Sequence, residues 1–345
     1  MKKILFTLII SFCSFLHSQS IKQQLTEHTR KVESVCYSNN GKILATGSWD
    51  GNILIYTIDS NGNYVVNKTL SGHLGAVTNL WFYKNNRYLV SCSKDFSVKI
   101  WNIDTPELVK TINVHLEVVS AAFLDPSGKT LITASYDGNI KTTNLLDAKK
   151  NKTIKVGSPI YDLVLSRDNK FYYAAVKGGI IKKIETGSTK TVADITGHLD
   201  DINSLDLSPD GKFLASGSSD KTIIIWDLST MKESKKMTGF EWKVTSVKYN
   251  ADGKYIAGSC NNGISKLFSI ETGKLISDFG SLNNNSRDVS FSNNSKHIAI
   301  ATQYIESTSN FGATIFNTGI ETTVVTPASN NPKKTTTPTK PKPKK

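Results

Sequence analysis

The stretch 198-HLDDINSLDLSPDGKFLASGSSDKTIIIWD-227 contains three short strand patterns separated by two tight turns. The predicted strands are Ile202–Leu207, Phe213–Ser218 and Thr222–Trp226. In the first turn, Ser208-Pro209-Asp210-Gly211, proline fixes one φ angle and glycine supplies a positive one. The third strand is almost entirely β-branched, which suits a strand buried on both faces. Strands at this spacing predict antiparallel β-structure.

Related blocks recur along the chain at intervals of 41 to 45 residues. Their first residues are His28, His73, His115, Gly157, His198, Phe240 and Asn283. A period of this length, with this strand content, is typical of a β-propeller that has one four-stranded sheet per repeat. We therefore predict an all-β fold with seven antiparallel blades.

The block resembles the repeat of the WD40 family, which has a Gly-His pair, a Pro-Asp-Gly turn, a Ser or Thr, an Asp and a closing Trp-Asp. The fifth repeat matches at Gly197-His198, Pro209-Asp210-Gly211, Ser216, Asp220 and Trp226-Asp227. The second repeat matches at Gly72-His73, Ser91, Asp95 and Trp101-Asn102, with Lys84-Asn85-Asn86 in place of the turn. The resemblance covers about residues 21–326 and implies a seven-bladed WD40-type β-propeller.

Closure of the ring has two candidate strands. In propellers similar to this one, a strand that precedes the first repeat completes the last blade, and Ile21–Glu27 stands in that place. Closure matters because an open ring leaves two sheet edges unpaired. The β-branched segment Ile320–Val325 is the competing candidate. We favour the N-terminal strand, because seven repeats otherwise leave it without a partner.

The resemblance implies a buried hydrogen-bonded chain in each regular repeat, from Trp to Ser or Thr to His to Asp. The sets are His28, Thr46, Asp50 and Tyr56; His73, Ser91, Asp95 and Trp101; and His198, Ser216, Asp220 and Trp226. The third repeat has His115, Thr133 and Asp137, with Thr143 in the Trp position. Ser, His and Asp together also suggest a hydrolase triad. Because the set recurs in four repeats, we predict a structural role and no catalytic residue.

Three repeats depart from the pattern. The fourth has Gly178-Gly179 at the Asp turn and Ile184 at the Trp position. The sixth has Phe240-Glu241-Trp242 in place of Gly-His, and Phe268 in place of Trp. In the seventh, Gln303–Phe311 lengthens the turn between the second and third strands. Neighbouring repeats can hold such degenerate blades in place.

The N-terminal segment 1–20 has the layout of a secretory signal peptide: Lys2 and Lys3, then the apolar run Ile4–Leu16, then small residues. The apolar run is shorter than the roughly 20 residues that a spanning helix needs. An uncleaved anchor and a buried first strand are the alternatives. We predict a secreted or periplasmic protein with no stable membrane insertion once the signal is removed.

The other end, 327–345, is rich in Lys, Pro and Thr, has no large apolar side chain, and is predicted to be disordered. The two end segments have no acidic residue and hold eight of the 13 net positive charges, which leaves +5 on the propeller. We therefore predict no nucleic-acid partner and read the tail as a spacer. Cys36, Cys92 and Cys260 fall in different repeats and are predicted to be buried small side chains, and no metal or cofactor motif is present.

The candidate binding site is the rim of the central channel. The resemblance places there the residue before each turn Asp and the residues after each His. These are Trp49, Lys94, Tyr136, Ser219 and Asn261, with Arg30, Asp200 and Trp242 on the preceding loops. Aromatic side chains beside Arg and Lys are typical anchors for a protein or peptide. Gln303–Phe311 is a further candidate contact loop.

Two functions remain open. The first is a non-enzymatic, exported, monomeric scaffold that binds a protein or peptide partner on the rim. The alternative is an exported hydrolase or a protein that binds a sugar or another small molecule, with the channel mouth as its pocket. Acidic and histidine side chains that converge on the channel outside the tetrads would favour the alternative. An intracellular scaffold that keeps its N-terminus is a third possibility.

Overall fold

The computed structural model describes residues 20–83, 85–280, 284–305 and 310–320. Except for Ser20, the predicted signal segment lies outside these residues, as does the predicted tail. Within the described residues the chain forms 28 strands and one 3₁₀ turn, Ala148–Lys150.

The strands form seven four-stranded antiparallel sheets. β1 (Ile21–His28) precedes the first repeat. The first blade contains β2 (Val32–Tyr37), β3 (Ile43–Ser48), β4 (Asn52–Ile58) and β5 (Tyr64–Ser71). The second contains β6 (Val77–Phe82), β7 (Tyr88–Ser93), β8 (Val98–Asn102) and β9 (Glu107–Ile112). The third contains β10 (Val119–Leu124), β11 (Thr130–Ser135), β12 (Asn139–Asn144) and β13 (Lys152–Lys155).

The remaining blades repeat this order. The fourth contains β14 (Ile160–Leu165), β15 (Phe171–Val176), β16 (Ile180–Glu185) and β17 (Thr191–Thr196). The fifth contains β18 (Ile202–Leu207), β19 (Phe213–Ser218), β20 (Ile223–Asp227) and β21 (Lys232–Met237). The sixth contains β22 (Val244–Tyr249), β23 (Tyr255–Cys260), β24 (Ile264–Ser269) and β25 (Leu275–Gly280). The seventh contains β26 (Ser286–Phe291), β27 (His297–Ile305) and β28 (Asn310–Asn317). The prediction of an all-β fold with seven antiparallel four-stranded blades is confirmed.

The outer edge of the seventh blade is formed by β1. It pairs antiparallel with β28, with Gln24 opposite Thr314 and Leu25 opposite Ala313. Leu25 is buried in the core between the seventh and first blades. Of the competing segment Ile320–Val325, only Ile320 lies within the described residues.

The hydrophobic core is divided among the spaces between neighbouring blades. Seven clusters of buried side chains each join residues of two adjacent blades. β20 shows how one strand serves two of them, because successive side chains of a strand point to opposite faces. Ile224 and Trp226 pack towards the fourth blade, whereas Ile223 and Ile225 pack towards the sixth. This explains why the first four residues of β20, 223–226, are an unbroken apolar run.

The turn between β18 and β19 is built as its sequence predicts. Ser208 Oγ donates to Asp210 Oδ1 at 2.7 Å and accepts from the Phe213 N–H at 2.9 Å. Gly211 has a φ of 73°, and a Cβ there would lie 2.7 Å from Cγ of Arg167 in the preceding blade. Glycine is therefore required both by the backbone and by the neighbouring blade.

The insertion Gln303–Phe311 is only partly described. β27 continues to Ile305 and β28 begins at Asn310, while residues 306–309 lie outside the described part of the chain. Its role as a contact loop stays a prediction. Cys92 and Cys260 are buried, and Cys36 is half-buried. In the part of the chain that the structure covers, no helix has the length and apolar character to cross a bilayer.

Candidate functional site

The fifth blade brings the four predicted tetrad residues together. Trp226 Nε1 donates to Ser216 Oγ at 2.7 Å, and Ser216 Oγ lies 2.7 Å from His198 Nε2. His198 Nδ1 lies 2.8 Å from Asp220 Oδ2. With a neutral imidazole, Ser216 donates to Nε2 and Nδ1 donates to Asp220, so the chain of donors is complete from Trp to Asp.

Burial sets the charge states in this network. Burial lowers the pKa of His198, although Asp220 opposes the shift. Burial also raises the pKa of Asp220, but hydrogen bonds from Thr222, the Leu199 N–H and His198 outweigh it and hold the pKa below its ordinary value. The network therefore joins a neutral histidine to an ionised aspartate at neutral pH.

The second blade has the same geometry. Trp101 Nε1 donates to Ser91 Oγ at 2.8 Å, and Ser91 Oγ lies 2.7 Å from His73 Nε2. His73 Nδ1 is 2.9 Å from Asp95 Oδ2. The two blades whose sequences match the repeat best are thus closed by the same four-residue chain.

The first blade differs from the prediction at Tyr56. His28 bridges Thr46 at 2.8 Å and Asp50 at 2.9 Å, as expected. The Tyr56 hydroxyl donates to Glu27 Oε2 at 2.9 Å, and its side chain also hydrogen-bonds with Thr46. The chain in this blade therefore runs on from Thr46 through Tyr56 to Glu27 on β1.

The third blade keeps only the first three residues of the chain. His115 bridges Thr133 at 2.7 Å and Asp137 at 2.8 Å. With Thr143 in the Trp position, this blade has no indole N–H to donate to Thr133 Oγ1. Thr133 Oγ1 also lies 3.3 Å from the Lys141 carbonyl oxygen, as Ser216 Oγ lies 3.4 Å from that of Ile224 in the fifth blade.

None of these Ser–His–Asp sets in the described residues is placed like a hydrolase triad. The His198 side chain is fully buried, and Ser216 has no exposed surface. Ser216 Oγ is also committed, because it accepts from Trp226 and donates to His198. A nucleophile must reach its substrate, and this hydroxyl cannot. The sets are buried hydrogen-bonded networks that stabilise the blades.

The innermost strands surround a central channel with a cavity of about 830 Å³. Along one wall, Trp81 lies against Phe123, with 6.2 Å between ring centroids. On the other side, Lys248 Nζ lies 3.7 Å from Asp206 Oδ1. The channel wall therefore includes both aromatic and charged contacts.

Three channel aspartates lie outside the tetrads and were missed by the sequence analysis. Asp162 accepts the Leu205 N–H at 2.7 Å, Asp206 accepts the Tyr249 N–H at 2.7 Å, and Asp288 accepts the Val35 N–H at 3.1 Å. In each case the donor belongs to the next blade. Burial raises the pKa of Asp162 to about 6. These carboxylates tie neighbouring blades together, so their convergence on the channel does not indicate a catalytic pair. The sequence signal that could have predicted these aspartates is a polar residue at the third or fifth position of an innermost strand.

The rim face is defined here as the surface formed by the loops before the innermost strands and the turns that carry the tetrad aspartates. On it, the Trp49 ring has Lys94 Nζ at 4.0 Å and Lys31 Nζ at 5.9 Å from its centroid. Trp49 Nε1 donates to Glu33 Oε1. Glu33 Oε2 accepts from Arg287 Nε at 2.9 Å. The ring is 38% exposed, so it is a fixed but accessible aromatic surface.

The other predicted rim residues lie on the same face. Tyr136 is 44% exposed and packs edge-on against Tyr161, with centroids 5.4 Å apart. Tyr136 and Lys94 line the channel. Trp242 is 57% exposed, and Arg30 is exposed on its loop. The structure thus gathers Trp49 and Lys94 into one cluster, whereas Trp242 and Arg30 stand apart from the residues that line the channel.

Ser219, Asn261 and Asp200 take part in local hydrogen bonds. Asn203 Nδ2 donates to Ser219 Oγ at 3.1 Å, and Arg287 Nη1 donates to Asn261 Oδ1 at 3.5 Å. The Asp200 carbonyl oxygen accepts from Ser218 Oγ at 2.9 Å. Some of their polar atoms are therefore occupied by hydrogen bonds to other rim residues.

Three exposed leucines on the rim face were also missed. Leu74, Leu116 and Leu199 are 95%, 84% and 88% exposed. Each follows a tetrad histidine and donates its N–H to that tetrad's aspartate, at 2.9, 3.3 and 3.0 Å respectively. The three side chains add exposed apolar area to the rim face at equivalent positions of three blades. The repeated His-Leu pair in the sequence could have predicted them.

No group of three or more His, Cys, Asp or Glu side chains suited to a metal ion occurs in the described parts of the chain.

The family comparison agrees with this geometry. The family model "WD domain, G-beta repeat" matches residues 19–57, 64–102, 106–142 and 189–227. The model "Anaphase-promoting complex subunit 4 WD40 domain" matches residues 234–294. Together these WD40 models cover more than half of the chain. The fourth blade, the most divergent in sequence, falls largely between the matched segments.

Similar proteins include THO complex subunit 3 of Arabidopsis thaliana, 25% identical over 59% of this chain and 65% of its own length. A probable cytosolic iron-sulfur protein assembly protein CIAO1 homolog of Caenorhabditis elegans is 40% identical over 22% of this chain and 23% of its own length. A WD repeat-containing protein 26 homolog of Arabidopsis thaliana is 24% identical over 60% of this chain and 35% of its own length. The chain thus spans less than two thirds of each of these relatives. The strand pattern, the tetrads and the family matches all lead to one assignment: the chain belongs to the WD40-repeat family.

Proposed function

We propose that this protein is a non-enzymatic scaffold that holds a protein or peptide partner on its rim face. The observation that carries the proposal is the separation of two kinds of side chain. Residue types that could do chemistry are buried in tetrads or tie blades together, whereas Trp49, Tyr136, Trp242 and the three leucines stand exposed on one face. Exposed aromatic and aliphatic anchors beside cations are what a protein interface uses.

The relatives support the same role. One similar protein is named as a subunit of a complex, and another as a protein of iron-sulfur protein assembly. WD40 propellers in general bind protein partners and are non-enzymatic. This chain covers only part of each relative, so the identity of its own partner does not follow from theirs.

The test is affinity capture with a rim variant and a matched control. The rim variant replaces Trp49, Tyr136 and Trp242 with Ala. The control replaces Ile58, Val109 and Leu146, which are 44%, 54% and 82% exposed away from the rim face, with Ala. We expect proteins captured by the wild type to be lost with the rim variant and kept with the control. Equal capture by all three would refute the rim assignment.

We further propose that the protein works outside the cytoplasm, as a monomeric propeller, after removal of about the first 20 residues. The support is the basic, apolar and small-residue order of 1–20. Mass spectrometry of the N-terminal peptide of the native protein should find a chain that begins near residue 20, in the envelope fraction or the medium. A chain that keeps Met1 and is recovered with cytoplasmic markers would contradict export.

A further inference from the structure

The channel mouth on the rim face is rich in cations. Lys94, Lys243 and Arg287 line it together, and the ammonium groups of Lys31 and Lys94 both lie near the Trp49 ring. These residues come from four blades that follow one another around the ring: the sixth, the seventh, the first and the second. Ring closure brings them together, although they are far apart in the sequence.

The acids on this arc are largely engaged elsewhere. Asp50 and Asp95, which follow Trp49 and Lys94, are bonded to the tetrad histidines, and exposed Glu241 accepts from Asn262 Nδ2. Glu33 is buried, and its two oxygens are occupied by Arg287 and by the indole N–H of Trp49. Within the described residues, Lys31, Lys94 and Lys243 form no ion pair. Each keeps an ammonium group near the mouth that a partner's anion could approach. Arg287 holds Glu33 in place, and Glu33 in turn holds the Trp49 ring through the indole N–H.

The opposite arc of the rim face has a different charge. Glu117 and Asp200 are exposed there on the third and fifth blades, and Asp201 lies beside Asp200. Lys177 and Lys221 partly offset them. The cations near Trp49 therefore form a local positive sector and are not simply a share of a uniformly basic face.

We propose that this positive sector recognises an anionic peptide segment that carries an aromatic or aliphatic side chain next to its acidic residues. The inference rests on the proposed scaffold function and specifies the partner's chemistry. The apolar side chain packs against the exposed part of Trp49 that Lys94 does not cover, and the anionic groups approach Lys31, Lys94 and Lys243. Carboxylates and phosphorylated side chains share this chemistry. Charge complementarity of this kind selects partners and speeds their encounter.

The size of the effect follows from the exposure of the cations. An exposed ion pair contributes little by itself, so several must act together to matter. Removing three of them should weaken binding by about tenfold or more, and binding should weaken as salt rises because exposed charges are screened within about 10 Å at 0.1 M salt.

The experiment uses fluorescein-labelled twelve-residue peptides and the full-length mature chain. One peptide has Glu around a central Phe, a second has Gln in place of Glu, a third has Lys, and a fourth has phosphoserine. Fluorescence anisotropy at low and moderate salt gives Kd. We expect the Glu peptide to bind at least tenfold more tightly than the Gln and Lys peptides. If phosphoserine binds more tightly than Glu, the anionic source is a phosphorylated segment.

Two charge variants locate the site. The first carries Lys31→Gln, Lys94→Gln and Lys243→Gln. The second carries Lys42→Gln, Lys129→Gln and Lys296→Gln, which are in the turns on the opposite face and remove the same charge. Only the first should lose binding. These are exposed lysines, so unchanged thermal midpoints should show that both variants are folded.

Three results would overturn the inference. The first is equal loss in both charge variants, which means that net charge alone attracts the peptide. The second is full competition by a single-stranded oligonucleotide at the same charge concentration, which means that any polyanion is accepted. The third is failure of every anionic peptide while a protein partner is still captured through Trp49, Tyr136 and Trp242; that result leaves the scaffold function standing.

Discussion

The fifth and sixth blades fill the same space with opposite chemistry. In the fifth, the His198 and Trp226 rings lie 6.0 Å apart and are joined through Ser216. In the sixth, the rings of Phe240 and Phe268 lie 5.8 Å apart at the corresponding positions. The strand registers agree, since Leu214 faces Trp226 and Ile256 faces Phe268. We call the position of this ring pair the joint of the blade. A polar chain fills the joint of the fifth blade, and an apolar pair fills that of the sixth.

The serine position explains how the exchange is possible. Gly258 stands where the fifth blade has Ser216. A Cβ on Gly258 would lie 2.9 Å from Cζ of Phe240 and 2.6 Å from Cδ1 of Ile223. The phenylalanine ring thus occupies the volume that the serine side chain takes in the fifth blade. What the fold requires at this joint is a filled and satisfied space, and the histidine and aspartate are one way to supply it.

The largest expected effect comes from removing the large ring in either blade. Trp226→Ala and Phe268→Ala should each lower the free energy of unfolding by about 3–5 kcal/mol, because both side chains are almost fully buried and leave a cavity. Urea denaturation followed by far-ultraviolet circular dichroism measures it. Similar losses would support equivalent joints; a loss below about 1 kcal/mol in only one blade would break the comparison.

The next effect separates the polar joint from the apolar one. Asp220→Ala leaves the His198 Nδ1–H and the Leu199 N–H without their acceptor and should cost about 2–3 kcal/mol. The matched change in the sixth blade is Asn262→Ala, which removes one acceptor from the Ile264 N–H in a half-buried turn. It should cost less than about 1 kcal/mol. The same denaturation measurement decides, and equal costs would show that Asp220 is no more than a turn residue.

A smaller effect is expected for a methyl group at Gly258. Gly258→Ala should cost about 1–3 kcal/mol, because the new Cβ would press on Phe240 and Ile223. Adding Phe240→Leu should recover part of that cost, since leucine lacks the ring tip that meets the Cβ. The double variant is compared with Phe240→Leu alone. If Gly258→Ala costs as much in that background as in the wild type, Phe240 is not the obstacle.

The blade architecture could be predicted from the sequence because its determinants are local. Turn residues such as Pro209 and Gly211, and the spacing from His198 to Asp220, all act within one repeat of about 40 residues. The two intact chains, in the second and fifth blades, follow from that spacing. The sequence could also have predicted the exposed leucines, because each directly follows a histidine whose place in the blade is set by the pattern.

The rest depends on contacts between distant parts of the chain. Tyr56 reaches Glu27 because β1, from before the first repeat, lies in the seventh blade next to the first. Glu33 meets Arg287, more than 250 residues away, only once the ring closes. The channel aspartates likewise bond to the next blade, as Asp162 does with Leu205. A period in the sequence shows that blades are adjacent, but it does not show which side chains meet across them.

The last prediction uses pH to test the polar joint. The pKa of Asp220 is lowered in the folded protein, so its ionised form contributes stability that is fully present above the unfolded value near 3.8 and is lost as the pH falls through the folded value. Asp220→Asn removes that contribution but keeps an oxygen acceptor. Its effect at neutral pH should therefore be smaller than that of Asp220→Ala.

The difference in free energy of unfolding between wild type and Asp220→Asn is the quantity to follow. This difference should not shrink between pH 7 and pH 4. In the wild type the Asp220 carboxylate favours protonation of the buried His198, whereas the amide of the variant does not, so acid destabilises the variant at least as much. Below about 3.8 it should shrink as Asp220 is protonated. The control Glu271→Gln, in an exposed turn of the sixth blade, should stay close to the wild type throughout. A difference that is constant down to pH 2.5 would mean that the carboxylate's charge contributes nothing, and the fifth blade would then be held, like the sixth, by packing alone.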